Sequence, residues 1–228
     1  MSGTARRRIY LMRHGAVSYF DPDGQPVEPA TVPLTAEGRM QARAAHELLT
    51  GVTFDRVVAS GLPRTLETAQ IVAPTASIES WPELRELESG HLAAIPDDEI
   101  EDEFVNAFHG VVANERRFLG GETIGALFDR ILPELGRLVA DESWDIALLV
   151  LHGAVNRAIL SYALTGERLF LGQFEQAPGC VNVLDIDDRA WLVRAVNVAP
   201  TDLTHRSTRA TTMEQYWERY RPVRETGR

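Results

Sequence analysis

An unbroken apolar run, Ile146–Leu151 within "DIALLVLHG" (145–153), is the feature that most limits how this chain can fold. Apolar and polar residues do not alternate in it. A strand made from it is therefore covered on both faces, as strands of parallel sheets layered between helices are. Two earlier segments fit the same frame: Arg8–Met12 reads as a first strand and Asp55–Ser60 as a second. Helical segments separate them. Thr35 can cap a helix running to about Leu49, with Met40, Ala44 and Leu48 on one face at spacings of four. Pro63 opens another through about Val72, where its missing N–H costs nothing. A third, Ala154–Leu164, follows the apolar run. This alternation predicts an α/β fold, a three-layer open and mostly parallel sheet flanked by helices. "VNVLDID" (181–187) and "WLVRAVN" (191–197) read as a further strand pair turning at Asp187 and Asp188.

The texture changes between Gly90 and Asp141, where helix-forming sequence carries no clear strand. It predicts a helical cap, an insertion over about 91–141, within a single domain of residues 1–228. The acidic run "DDEIEDE" (97–103) reads as a solvated helix start, and Pro133 as a break or kink in the second cap helix. The tail, about 201–228, contains "EQYWERY", an amphipathic helix able to dock on the body or on another subunit.

Composition excludes several classes. With 44% hydrophobic and 25% charged residues the 228-residue chain is globular, and a formal net charge of -10 argues against a general nucleic-acid or anionic-membrane binder. One cysteine, Cys180, allows no internal disulfide and reads as a small buried hydrophobe. The apolar run at Ile9–Met12 is too short for a signal peptide. The expected location is cytoplasmic, with no nucleic-acid or membrane partner; a homo-oligomer is compatible with the sequence.

Each of the three strands ends on polar residues with chemical capacity: Arg13 and His14 in "IYLMRHGA", Ser60 and Arg64 after the second, His152 and Gly153 after the third. In an open parallel sheet the ligand crevice lies outside the C-terminal strand ends. Two arginines and two histidines are thereby expected in one pocket, with Gly15 exposing a backbone N–H. Arginine's planar fork suits phosphate oxygens, so a phosphoryl group is the expected occupant. Other phosphate and hydrolase chemistries do not fit. A thiolate phosphatase needs arginine six positions after its cysteine, and Ile186 stands there. "DIDDR" (185–189) has the wrong last residue for an aspartate nucleophile, and "HELLT" (46–50) lacks the second histidine of a zinc helix. No Walker-type loop occurs.

Five segments in order, "LMRHGA" (11–16), "SGLPRTLETAQ" (60–70), "LRELESG" (84–90), "GGET" (120–123) and "LVLHGAVNRAIL" (149–160), resemble the successive motifs of the histidine phosphatase superfamily, the phosphoglycerate mutase-like fold. The resemblance covers roughly residues 8–187. It implies that His14 is the nucleophile and forms a phosphohistidine, and that Arg13, Arg64 and His152 hold the phosphoryl oxygens; Gly15 and Gly153, from their places at the strand ends, are expected to bind substrate beside them. It aligns Glu86 with the general acid, with Glu88 as the competing carboxylate, and implies neither metal nor cofactor. "GGET" is either a helix cap or a substrate contact. The stretch after RHG, "AVSYFDPDGQP", lacks the polar, Trp- and Asn-containing pattern of the cofactor-dependent mutases, and Val17 stands where many family phosphatases carry Ser or Thr. The expected function is therefore hydrolysis of a small phosphorylated metabolite. Mutase-type phosphotransfer and a non-catalytic phosphate-binding or protein-interaction module are the alternatives. Arg116 and Arg117 read as solvated surface residues or as contacts to a second anionic group.

Overall fold

The computed structural model describes residues 6–23, 25–187, 190–207 and 209–226. In chain order the strands are β1 (Arg7–Arg13), β2 (Arg56–Ala59), β3 (Ile78–Ser80), β4 (Val111–Val112), β5 (Ile146–Leu151), β6 (Phe170–Leu171), β7 (Val181–Ile186) and β8 (Trp191–Val198). The helices are α1 (Ala36–Leu48), α2 (Pro63–Val72), α3 (Ile100–Val105), α4 (Ile124–Ala140), α5 (Gly153–Thr165) and α6 (Thr212–Thr226). Six strands form one sheet in the order β3-β2-β5-β1-β7-β8, and β4 and β6 pair separately. β1, β5, β2 and β3 run parallel; β7 joins β1 antiparallel and β8 joins β7 antiparallel. The sheet is the mostly parallel one expected.

The apolar strands feed two separate cores. Ile9, Leu11, Leu149 and Leu151 point to one face and pack with α4 and α5, while Met12, Leu148 and Val150 point to the other and pack with α1 and α2. That division explains why β5 has no polar alternation: successive side chains alternate in direction, and both directions are buried. α5 stops where Gly166 takes φ 71°, a left-handed conformation that costs a residue with a Cβ. No helix among the described residues is long and apolar enough to cross a membrane.

Three sequence expectations about packing need correction. The α1 face carrying Met40, Ala44 and Leu48 is not its buried face: Met40 and Leu48 are 52% and 46% exposed, and the helix packs through Gly38, Gln41, Ala42 and Ala45. Small residues win there because α1 approaches closely; a methyl on Gly38 would lie 2.2 Å from the Ala16 carbonyl oxygen. Of the break or kink expected at Pro133, the break does not occur: α4 runs through it as one helix. And α4 does not stand away from the body: Leu127, Phe128, Ile131, Leu135 and Leu138 lie in the main core with the sheet. Within 91–141, the segment that packs apart from the sheet core is the stretch around α3, whose Ile100 and Phe104 form a smaller cluster with Met213, Trp217 and Tyr220 of α6. The tail helix therefore docks on the body, as one of its two expected placements had it. Asp97 on the acidic run pairs with Arg224 at 2.7 Å. Of the expected turn between β7 and β8, Asp187 is described and Asp188 lies outside the described residues.

Candidate active site

The site lies at the C-terminal ends of β1, β2 and β5. The sheet ladder carries past β1: the His14 N–H donates to the Leu151 carbonyl at 3.0 Å and the His14 carbonyl accepts from Gly179 N–H at 3.0 Å. These two bonds hold the His14 backbone from both sides. The ring Nδ1 lies 2.7 Å from the Gly15 carbonyl. A carbonyl can only accept, so Nδ1 carries the proton and Nε2 keeps a free lone pair.

His152 caps the start of α5 in extended backbone and meets His14 edge to face, with ring centroids 5.2 Å apart. Its Nε2 lies 2.8 Å from Ser60 Oγ, which in turn contacts Thr65 Oγ1 at 3.0 Å. Both imidazoles are buried, at 1% and 0% exposure. Burial first, then Arg64 and Arg13, push His14 well below the ordinary histidine value; burial first, then Arg64, His14 and Arg13, do the same to His152. Both rings are neutral at pH 7.

The sign of this shift gives a stability prediction. Below pH 6.5, the ordinary value, the unfolded chain binds protons that the native histidines refuse. Stability is full above that value and is lost as pH falls through it, with a slope on the order of 1 kcal/mol per pH unit for each ring. Urea unfolding midpoints measured from about pH 8 down to about pH 5 are expected to fall, and His14→Gln to flatten the fall. A slope unchanged by that substitution would place the titrating group elsewhere.

The arginines are buried too. Arg13, at 5% exposure, donates through Nη1 to the Gln176 carbonyl and to Thr212 Oγ1 at 3.0 Å, and Arg64, at 2%, donates through Nη1 to the Pro29 carbonyl at 2.7 Å. Arg13 Nε, Arg64 Nε and His152 Nδ1 are buried without a protein partner. Unpaired buried donors are costly, the two guanidinium ones most, and an anion is the partner that suits Arg13 and Arg64.

Glu86 sits against the same group. Its carboxylate accepts the N–H of Ala154 in the first turn of α5 at 3.2 Å and that of Leu87 at 3.0 Å. A methyl placed on Gly153 would lie 3.7 Å from Glu86 Oε2, 3.7 Å from Arg13 Nε and 3.2 Å from Arg157 Nη1, so these three side chains converge above that glycine. The Glu86 backbone is held from α4: Arg130 donates to the carbonyls of Glu83, Arg85 and Glu86 and pairs with Glu122 at 2.8 Å. Glu88 is exposed, and its N–H is taken by the Glu122 carboxylate. "GGET" is thus seen as a clamp and cap: Glu122 holds Arg130, Thr123 Oγ1 caps α4 through the Ala126 N–H, and residues 120–123 do not line the cavity.

A cavity of about 1030 Å³ opens over this group, lined at its inner end by Arg13, Arg64, Glu86, Gly153 and Arg157. His14 and His152 do not line it; they lie buried in the field of Arg13 and Arg64. Gly15 needs correcting. Its N–H is not open to an anion but donates to Thr68 Oγ1 at 3.2 Å, and the glycine is needed because a methyl there would lie 2.3 Å from the Gly38 carbonyl oxygen. Arg116 pairs with Glu103 at 3.0 Å and Arg117 donates to the Gly121 carbonyl; neither lines the cavity. Cys180 is fully buried and its thiol is pushed up to about 12 by burial, unsuited to nucleophilic work.

Sequence reasoning missed Arg157, Thr212 and Tyr216. Arg157 stands in an otherwise apolar helix, buried at 6% exposure and paired with Glu175 at 3.2 Å; a lone arginine inside "GAVNRAIL" was a usable signal. Thr212 and Tyr216 come from α6 and carry no local sign of their place in the site. Among the described residues, no group of three or more His, Cys, Asp or Glu side chains is arranged to hold a metal ion.

Comparison with known proteins identifies the family. Residues 9–199 match the profile of the histidine phosphatase superfamily (branch 1). The chain is 28% identical over 200 residues to the adenosylcobalamin/alpha-ribazole phosphatase of Escherichia coli (strain K12), covering 83% of this chain and 95% of that protein. It is 29% identical over 161 residues to a probable phosphoglycerate mutase GpmB of Salmonella paratyphi A, covering 69% and 74%. Among solved structures, the alpha-ribazole phosphatase from Shigella flexneri superposes with a TM-score of 0.68 at 26% identity, over 83% of this chain and 96% of that one.

Proposed function

We propose that this chain, which belongs to the histidine phosphatase superfamily (branch 1), is a phosphomonoesterase that hydrolyses a small phosphorylated metabolite through a phosphohistidine on His14, without a metal ion. The observation that carries the reading is the state of His14: a proton held on Nδ1 by the Gly15 carbonyl, a free Nε2, and two buried arginines acting on the same ring. The phosphatase names of its relatives support the reaction class.

In this reaction the Nε2 lone pair attacks phosphorus and the bond from phosphorus to the ester oxygen breaks. Arg13 and Arg64 offset charge on the phosphoryl oxygens during transfer, which makes positioning and electrostatics the main sources of rate. His152 adds a further contact through Nδ1. Glu86 gives its proton to the departing oxygen; as a carboxylate it then takes a proton from water, whose oxygen attacks the phosphohistidine and releases inorganic phosphate with the histidine restored. Atoms and charge balance with water as the only second reactant.

The test is phosphate release from p-nitrophenyl phosphate, with and without EDTA. Turnover unaffected by the chelator is expected. Activity that disappears with EDTA and returns with a divalent ion would overturn the metal-free step. Interconversion of 2- and 3-phosphoglycerate faster than phosphate release would replace hydrolysis by mutase chemistry.

A further inference from the structure

We propose that the cavity beyond the phosphoryl site is a leaving-group chamber walled by α6, and that it selects phosphomonoesters whose alcohol carries a planar aromatic or heteroaromatic group. The inference rests on the phosphatase reading above and adds a substrate class to it. Size is the first argument. At about 1030 Å³ the cavity stands at the upper end of small-molecule sites and far exceeds what a phosphoryl group fills.

Its walls are the second argument. Tyr19, Phe20, Tyr216 and Tyr220 line it, with Tyr19 edge to face against Tyr216 at 5.4 Å and Phe20 stacked on Tyr220 at 6.2 Å. Phe108 and Phe118, stacked at 5.4 Å, line it as well. Rings in these arrangements offer both faces and edges to an inserted ring. Tyr19 also reaches the reacting end, with the Arg64 guanidinium 5.7 Å from its ring centroid, and burial raises the Tyr19 and Tyr216 phenols so that both stay neutral.

Charge supplies the third. Arg157 is committed to the Gly172 carbonyl at 2.9 Å and to Glu175, and Arg224 to Asp97 and the Ile95 carbonyl at 2.6 Å. A second anionic group on the substrate would find these two arginines already paired with carboxylates. Arg85 and His91, which also line the cavity, are exposed to solvent.

The wall is fixed in register with the chemistry. Arg13 donates to Thr212 Oγ1 at 3.0 Å, and Thr212 donates in turn to Glu175 Oε1 at 3.2 Å. All of α6 lies beyond residue 199, the last position matched by the family profile. The chamber is thus built partly from residues beyond the profile match.

A matched substrate pair tests this. Ethyl phosphate and 2-phenylethyl phosphate release alcohols of similar leaving ability, so their kcat/KM ratio reads the chamber alone. A preference for the phenylethyl ester of roughly 10-fold or more is expected, the scale set by burying one ring. Phe20→Ala and Tyr216→Ala are each expected to cut that ratio several-fold, while Tyr216→Phe, which keeps the ring, retains most of it. Calorimetric binding of ethylphosphonate and 2-phenylethylphosphonate, which cannot be hydrolysed, gives the same comparison without turnover. Turnover of both esters with a ratio near one overturns the chamber and leaves the phosphatase standing. Tighter phenylethylphosphonate binding without turnover of either ester sustains the chamber and defeats the hydrolysis.

Discussion

His14→Ala is expected to lower kcat by at least about 10⁴-fold, the scale of removing a nucleophile from a preorganised site. The ring is buried, with its backbone tied to β5 through Leu151 and to Gly179. His152, the other imidazole in the cluster, directs Nε2 to Ser60 Oγ. Mass spectrometry of the wild-type protein quenched during turnover is expected to find a phosphoryl adduct on the peptide containing residue 14, absent in His14→Ala. An adduct on the peptide containing residue 152 would reverse the two roles. Residual phosphate release in His14→Ala within tenfold of wild type would end the covalent mechanism altogether.

Glu86→Gln is expected to cost roughly 10²- to 10⁴-fold in kcat with alkyl phosphates, the usual contribution of a positioned general acid. Glutamine keeps an acceptor oxygen for the Leu87 and Ala154 N–H groups that hold the wild-type carboxylate, so the loss reports on the proton and not on the fold. With p-nitrophenyl phosphate, whose alcohol departs without protonation, the first step is spared and the phosphohistidine accumulates because water is no longer activated. Glu88→Gln is expected to change little, since that side chain lines the cavity from an exposed position and is not among those that converge above Gly153. The reverse ranking of the two variants would move the acid to Glu88.

The meeting of Arg13, His14, Arg64 and His152 was legible in the sequence because its signals are local. A buried strand that ends on Arg13 and His14, and another that ends on His152, announces itself by the abrupt change from apolar to cationic residues, and parallel topology then dictates where those ends meet. Packing partners were less visible. Periodicity identifies an apolar stripe without saying what covers it, so the stripe of α4 was read as part of a cap although it rests on the sheet. In α1 the signal itself misled, because Met40 and Leu48 are larger than the residues that the close approach to the Ala16 loop permits. Gly15 shows a further limit: a glycine beside an anion site suggests an open N–H, while the structure uses the missing side chain for contact with Gly38. The contribution of α6 is a meeting of residues 199 positions apart, from Arg13 to Thr212, and nothing in either neighbourhood encodes it.

That long reach has a consequence for synthesis on the ribosome. The chain is made from its N-terminus, so Arg13, His14, Arg64, Glu86 and His152 have all emerged before Thr212 is added. Contacts between distant segments form late because their loops are entropically expensive to close. A nascent molecule therefore holds its cationic floor before its far side is covered. The wall contributed by α6 is completed after that floor.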